Sequence, residues 1–253
     1  DRDGAVTLHI PEEHFFPWSP DSPFLYDLTV GTTQGEEEQR DTVHSYFALR
    51  KWSCAPDVHG IMRFCLNGKP ILLNGLLDQG YWPEGLYTPP SDGAVVRELQ
   101  TIKELGFNLL RKHAKIEPQR WYYHCDKLGL IVWQDMVNGG GPYKLWFVTY
   151  LTNVFQPLLR RLPDARPLWG LLGRETEAGR EEYARELEAT VKALQCHPCV
   201  GCWVPFNEGW GQFDAAGAVE AVRRLDDTRL VDEASGWYDQ GGGDVDSLHN
   251  YFY

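Results

Sequence analysis

The sequence is poor in basic residues and has no long apolar segment. Its 253 residues include 24 Lys and Arg against 36 Asp and Glu, a formal net charge of −12. This charge repels the phosphate backbone of nucleic acids and no basic stripe offsets it, so we expect no nucleic-acid partner. No apolar run approaches the ~20 residues that a membrane helix needs, so we expect no membrane partner either.

Cysteine is also scarce, with six residues, three of them in the pattern Cys196-x-x-Cys199-x-x-Cys202. Zinc and iron–sulfur sites usually take four ligands, and no fourth cysteine is near, so we predict buried thiols, no metal and no cofactor. Closely spaced thiols favour a reducing compartment such as the cytoplasm. No initiator methionine or signal-peptide pattern stands at Asp1, so the sequence is expected to be a processed chain or part of a longer one.

Aromatic residues are abundant, by contrast, at 13% of the chain with 10 Trp and 12 Tyr. Two interpretations stay open at this point. The rings can form surfaces that stack on flat apolar ligand faces, including those of sugars, or they can fill a tryptophan-rich core.

The first 57 residues carry strand patterns and no helical one. Alternation and β-rich runs predict strands at Val6–Ile10, Phe24–Val30 and Asp41–Arg50, with a turn at Gly35–Glu38. Three strands without a helix indicate the end of an antiparallel sandwich whose earlier strands would precede Asp1.

From about Ile61 strands and helices alternate, the pattern that predicts a parallel sheet. Helices are predicted from Ser91 to Leu105 and over 118–127, 181–195 and 213–225. Six strands are predicted: Pro70–Gly75, Phe107–Arg111, Gly129–Trp133, Val200–Phe206, Arg229–Asp232 and Asp246–Tyr251. The predicted fold is α/β, a (β/α)8 TIM barrel that stops after about six strands.

The most specific signal is Asn207-Glu208 at the end of an apolar strand. At a barrel mouth Glu208 would serve as a general acid whose pKa is raised by partial burial, and Asn207 would bind a sugar hydroxyl. The alternative is that Glu208 caps the next helix.

The ends of the other strands also carry polar and aromatic residues, as a carbohydrate cleft requires. These candidate substrate-binding residues are Asp78, Gln79, Trp82, Arg111, His113, Asp135, Trp237, His249 and Tyr251. Each has a structural alternative: His113 as a buried structural residue, Arg111 as the partner of a nearby acid, and Trp82 and Trp237 as core.

Several segments, in the right order, resemble glycoside hydrolase family 2, which holds β-galactosidases, β-glucuronidases and β-mannosidases. The matching barrel segments are Leu66–Gly75, Gln79–Pro83, Lys103–His113, Tyr123–Trp133 and His197–Glu208. Trp18–Tyr26 and Tyr46–Arg50 resemble the end of the immunoglobulin-like sandwich that precedes the barrel in this family. The resemblance implies two domains, the end of the sandwich at 1–57 and strands one to six of the barrel at 58–253.

The resemblance also implies a retaining β-glycosidase with Glu208 as acid/base, Asn207 beside it and His113 facing the sugar. The nucleophile of this family is a glutamate on strand seven, which is expected beyond Tyr253, so the chain alone is expected to be inactive. A non-catalytic carbohydrate-binding protein and an inactive truncated fragment remain alternatives. The sugar and the oligomeric state stay open; the long segment 137–179 is expected to shape the aglycone side.

Overall fold

The computed structural model describes residues 6–34 and 37–251, and the described chain begins with two small antiparallel sheets. Their strands are β1 (Tyr26–Gln34) paired with β2 (Glu37–Phe47), then β3 (Trp52–Pro56), β4 (Met62–Leu66) and β5 (Lys69–Pro70). The strand predicted at Val6–Ile10 is wrong: Val6 and Leu8 are more than half exposed, so its alternation buries no apolar face. Residues 35–36 of the predicted turn lie outside the described residues.

A parallel sheet forms the centre of the molecule. Its strands are β6 (Gly75–Asp78), β7 (Leu109–Lys112), β8 (Ile131–Asp135), β9 (Val200–Val204), β10 (Phe206–Asn207), β11 (Leu230–Val231) and β12 (Ala234–Ser235). Five of them lie side by side in chain order, β6-β7-β8-β9-β11, and β10 pairs with β12 just beyond. Pro205 separates β9 from β10 because proline has no N–H to give to the ladder.

Helices connect these strands on the outside of the sheet. They are α1 (Asp92–Glu104), α2 (Gln119–Leu128), α3 (Thr152–Val154), α4 (Gln156–Leu159), α5 (Glu177–Leu194) and α6 (Ala215–Leu225), with 3₁₀ turns at Glu12–His14 and Arg166–Leu168 and a π-helical turn at Trp146–Leu151. Ser91 caps α1 by accepting from the Ala94 N–H, as predicted. Thr176 caps α5 in the same way and starts it four residues earlier than predicted.

Two predicted barrel strands are corrected by the structure. The first begins at Gly75 rather than Pro70, because residues 69–70 pair with β4 and a Cβ at Gly75 would lie 2.2 Å from a Leu109 methyl group. No strand forms at 246–251. The one backbone bridge described there joins Val245 to Asp232, and the segment is held mainly by its side chains.

The two antiparallel sheets are docked on the amino-terminal ends of the parallel strands. The Trp18 indole donates to the Asp126 carbonyl at 2.8 Å, and the Tyr46 hydroxyl donates to the Asp126 carboxylate at 2.7 Å. Arg50 donates to the carbonyls of Pro198 and Thr228, which lie just before β9 and β11. The carboxyl ends of the parallel strands therefore remain open on the opposite side.

A buried ion pair at this docking surface makes stability depend on pH. His197 Nδ1 lies 2.7 Å from Asp126 Oδ2. Burial lowers the pKa of His197, but the hydrogen bonds and charges of Asp126 and Cys196 together outweigh burial and the pKa rises to about 9. Because this exceeds the pKa of ~6.5 for an unfolded histidine, the stabilisation is complete below pH ~6.5 and is lost as the pH rises through 9.

We expect the free energy of unfolding, measured with urea at a series of pH values, to fall by up to roughly 3 kcal/mol over that range. His197→Gln removes the titrating group and is expected to flatten the slope. Parallel pH dependences of the two proteins would contradict this assignment.

The three clustered cysteines do not share a site. The prediction of buried thiols is confirmed for Cys199 and Cys202 but is wrong for Cys196, which is exposed. Within 6–34 and 37–251, no three His, Cys, Asp or Glu side chains gather in a group that could hold a metal ion. In that same part of the chain, no helix combines the length and the apolar character needed to cross a bilayer.

Candidate active site

Glu208 lies at the carboxyl end of β10, where the backbone makes a sharp turn. Its φ is +52° and that of Gly209 is +69°, and its N–H donates to the Ser235 carbonyl at 2.9 Å. Left-handed backbone at a non-glycine residue costs on the order of 1–3 kcal/mol, and such residues cluster at active sites, ligand clamps and switch regions. The helix-capping alternative is wrong, since the next helix, α6, begins only at Ala215.

Two side chains from the final segment hold the Glu208 carboxylate. His249 Nδ1 lies 2.9 Å from Glu208 Oε1, and the Tyr251 hydroxyl donates to the same oxygen. The other ring nitrogen of His249 lies 3.1 Å from Arg111 Nη1, which can only donate. The ring proton of a neutral His249 is therefore on Nδ1, where it is donated to Glu208.

These contacts reverse the predicted direction of the Glu208 pKa. Burial raises the pKa of Glu208, but the hydrogen bonds from His249 and Tyr251 outweigh burial and place the pKa below its ordinary value. The site therefore holds Glu208 ionised at neutral pH, and a proton for acid chemistry has to be delivered to it.

Arg111 links β7 to β8 and to β10. It forms two hydrogen bonds to Asp135, at 2.9 and 3.1 Å, and donates to Asn207 Oδ1 at 2.7 Å. Burial acts to lower the pKa of Arg111, but the nearby Asp135 charge raises it overall. The ion-pair alternative for Arg111 is thus confirmed, and the same side chain also contacts Asn207 and His249.

His113 completes this side of the site. Its Nε2 lies 3.2 Å from Asn207 Nδ2, and burial lowers its pKa, so the neutral ring accepts from the amide. The Trp210 ring lies edge-on to His113, with 6.4 Å between the ring centroids. Trp210 also stacks on Tyr143, from the long segment after β8, at an interplanar angle of 7°.

The contacts of the described residues bring six of the predicted site residues into one cluster around Glu208. These are Asn207, Arg111, His113, Asp135, His249 and Tyr251. They come from four different segments of the chain and meet at the carboxyl ends of the parallel strands. This is the edge at which barrel enzymes carry their active sites.

The other predicted residues have different surroundings. Asp78 accepts from buried Lys112 at 2.6 Å, Gln79 is exposed, and Trp82 packs partly buried against the main core. Trp237 is only 2% exposed and lies behind His249, with 5.9 Å between the ring centroids. Trp237 therefore supports the site from below and offers no open ring face.

Sequence reasoning missed a group of residues that support His249. Ser235 Oγ lies 3.0 Å from His249 Nε2, and Gln156 donates to the His249 carbonyl at 2.7 Å. Ser247 and Asp232 lie beyond Ser235. The alternation of Ser247 with His249 was the available signal, because every second residue of an extended segment points to the same side.

Comparisons with known proteins agree with this geometry. The family model "Glycosyl hydrolases family 2, TIM barrel domain" matches residues 58–249. The chain is 24% identical over 248 residues to a β-galactosidase of Leuconostoc mesenteroides, covering 96% of this chain and 20% of that protein. It is 21% identical to the β-galactosidase large subunit of Lactobacillus helveticus, and the match covers 87% of this chain and 32% of that protein.

Solved structures show the same fold. A β-glucuronidase of Parabacteroides merdae superimposes with a TM-score of 0.63 at 21% identity, covering 85% of this chain and 24% of that one. A family 2 β-galacturonidase of Eisenbergiella tayi, bound to galacturonate, gives a TM-score of 0.64 at 18% identity. The match covers 89% of this chain and 35% of that one.

The chain belongs to glycosyl hydrolase family 2, and its parallel sheet is an incomplete (β/α)8 barrel of that family. It spans about a fifth to a third of the length of the two curated relatives named above. The expected immunoglobulin-like sandwich is not established by the two small antiparallel sheets and stays a prediction.

Proposed function

We propose that the chain is the acid/base-bearing part of a retaining β-glycosidase, with Glu208 as the general acid/base. The observation that carries this proposal is the hydrogen-bonded cluster that joins Glu208, His249, Arg111 and Asn207 at the carboxyl ends of the parallel strands. Membership of a glycosidase family implies a carbohydrate substrate.

The mechanism proceeds in two displacements. Glu208 protonates the leaving oxygen in the first step while a second carboxylate attacks the anomeric carbon. It then takes a proton from the water that releases the sugar. The Asn207 amide carries two N–H groups; one faces His113, and the second is positioned for a sugar hydroxyl.

The nucleophile is proposed to lie beyond Tyr253, on a seventh strand. Retaining enzymes place their two carboxyl groups about 5–5.5 Å apart. Glu233 does not serve this role, because its carboxylate accepts backbone N–H groups of Gln240 and Gly243 at 2.9 and 3.0 Å. In this arrangement residues 1–57 belong to the end of a sandwich domain, and residues 58–253 belong to the part of the barrel that runs up to the position of its sixth strand.

The remaining contacts to substrate are assigned by position. Asp78 ends β6, and Gln79 and Trp82 follow it; these three residues are proposed to border the sugar site. Asp135 and Trp237 are proposed to act through Arg111 and His249. The Tyr143–Trp210 pair, which includes Tyr143 from the segment 137–179, is proposed to border the aglycone side. The surrounding loops decide which sugar is accepted.

Hydrolysis of a panel of nitrophenyl β-glycosides tests the proposal. We expect a protein extended beyond Tyr253 to turn over one sugar, and the 253-residue chain alone to be nearly inactive because it lacks the attacking carboxylate. A folded extended protein that hydrolyses none of them, but binds a sugar, would replace this proposal with the carbohydrate-binding alternative.

A further inference from the structure

Behind Glu208 a row of hydrogen-bonding groups leads to a second, buried carboxyl group. Asp232 Oδ1 lies 3.0 Å from Ser247 Oγ, which lies 3.2 Å from Ser235 Oγ. Ser235 Oγ lies 3.0 Å from His249 Nε2, and His249 Nδ1 lies 2.9 Å from Glu208 Oε1. The three intervening side chains can each donate and accept, so the two carboxyl groups are connected without a break.

A hydroxyl or a neutral imidazole carries one hydrogen, so with a neutral His249 and one proton on the two carboxyl groups, two arrangements satisfy every contact of the row. In the first, protonated Asp232 donates to Ser247, and the two serines donate onward to His249 Nε2. His249 Nδ1–H then donates to ionised Glu208. In the second arrangement every donor is reversed, so that Glu208 is protonated and Asp232 is ionised. The two arrangements differ by one proton moved between the carboxyl groups.

We propose that Asp232 stores the proton used by Glu208 and that Ser247, Ser235 and His249 relay it. The inference rests on the proposed function of Glu208. In the first chemical step His249 Nδ1 gives its proton to Glu208, from which it passes to the leaving oxygen. His249 then takes a proton from Ser235, Ser235 takes one from Ser247, and Ser247 takes one from Asp232. Asp232 is left ionised. In the second step Glu208 accepts a proton from water, and the row returns one proton to Asp232.

The surroundings of Asp232 favour the first arrangement in the resting site. Its side chain is almost fully buried, and within the described chain its Oδ2 has no hydrogen-bond partner. Burial raises the pKa of Asp232 to about 6, although Arg111 and the two serine hydroxyls of the row act in the opposite direction. Asp135 and the Cys202 thiol are further titratable groups near it.

Arg111 also favours that arrangement from the other end of the row. Its Nη1–H points to His249 Nε2 at 3.1 Å, which keeps the ring proton on Nδ1. The second arrangement would set an N–H of His249 against this guanidinium. When the two carboxyl groups hold one proton, it therefore rests on Asp232 rather than on Glu208, and the relay supplies the proton that the Glu208 contacts withhold. With a pKa of about 6 for Asp232, this one-proton state is populated at mildly acidic pH.

Gly236 allows the His249 ring to occupy its place in the row. At its φ of +90°, a Cβ would lie 2.5 Å from His249 Cγ, so Gly236→Ala displaces the ring. Gly106 has a φ of +89° with open space around it, so Gly106→Ala introduces the same backbone strain away from the row. This pair separates the position of His249 from general destabilisation.

An NMR titration of the carboxyl carbons tests the row in the chain itself, without catalysis. We expect the Glu208 resonance to move in two steps, one of them near pH 6 together with that of Asp232. Asp232→Asn and Gly236→Ala remove the step near pH 6, whereas Gly106→Ala retains it. Glu233→Gln, which alters the neighbouring buried carboxyl group outside the row, also retains it. A Glu208 titration that is the same in wild type and Asp232→Asn would overturn the relay.

Kinetics of the protein extended beyond Tyr253 provide the second readout. Ser247→Ala is expected to lower kcat about 10- to 100-fold for sugars with poor leaving groups, and much less for dinitrophenyl glycosides, which leave without a proton. Ser247→Thr keeps the hydroxyl and restores most of the rate. Equal losses on both substrate classes would contradict the relay. No turnover by wild type, together with a two-step titration, would refute the proposed function and leave the row in place.

Discussion

Glu208→Gln is expected to abolish most hydrolysis of β-glycosides with poor leaving groups. General acid catalysis contributes about 10²- to 10⁴-fold, so kcat/KM for alkyl or sugar leaving groups should fall by that amount in the extended protein. A dinitrophenyl group departs without protonation, so kcat/KM for such glycosides should fall less than about 10-fold by the same argument. Steady-state kinetics on a matched pair of substrates measure the difference.

Glu233→Gln is the matched control for this variant. Both glutamates follow strands of the parallel sheet and both are buried. In the part of the chain that the structure describes, however, the hydrogen bonds that Glu233 accepts come from the backbone of its own loop. Its loss is expected to change the rates on both substrate classes by the same factor. Unchanged turnover of poor-leaving-group substrates by Glu208→Gln would remove Glu208 from the acid/base role.

Arg111→Ala is expected to destabilise the folded chain by about 3–5 kcal/mol, because removing one partner leaves the other charge buried and uncompensated. Asp135 is the partner that remains, with a side chain that is 1% exposed. Burial already raises the pKa of Asp135 against the opposing effect of Arg111. Without Arg111 its pKa rises further, so the loss should be smaller at pH 5 than at pH 8. Urea unfolding at the two pH values measures it.

Two further variants identify the cause of this destabilisation. The double variant Arg111→Met with Asp135→Leu replaces both charges by apolar groups, and it is expected to be more stable than Arg111→Ala. Arg63→Ala breaks an exposed ion pair with Asp57 and is expected to leave the urea midpoint almost unchanged. A double variant no more stable than Arg111→Ala would show that the hydrogen bonds of Arg111, rather than the buried Asp135 charge, are responsible.

The helices and the middle strands of the barrel were predictable because their patterns are local. Ser91 and Thr176 cap helices through contacts three residues away, and the strand Val200–Val204 is apolar throughout. The start of the first barrel strand was predicted five residues too early, because it depends on Gly75 fitting against Leu109, which lies 34 positions later in the chain. A pattern within one segment does not contain such a contact.

The sequence predicted which residues meet at the site better than it predicted their protonation and hydrogen bonding. The ends of successive parallel strands meet at one edge, which is why Arg111, Asn207 and His249 were expected together. The predicted direction of the Glu208 pKa shift was wrong, because hydrogen bonds from His249 and Tyr251 decide it and these residues lie more than 40 positions away. Asp232 carried no signal of its own, since its role depends on two serines that the fold brings between it and His249.

Rescue by azide tests the central claim most directly. In the extended protein with Glu208→Ala, a dinitrophenyl glycoside of the accepted sugar can still form the glycosyl-enzyme, but no base activates water to release it. Azide needs no such base and fits the space left by the carboxylate. We predict that azide raises the turnover rate and that the product is a glycosyl azide of β configuration. An unchanged rate with only the free sugar formed, or an azide of α configuration, would contradict the assignment of Glu208 as the acid/base of a retaining enzyme.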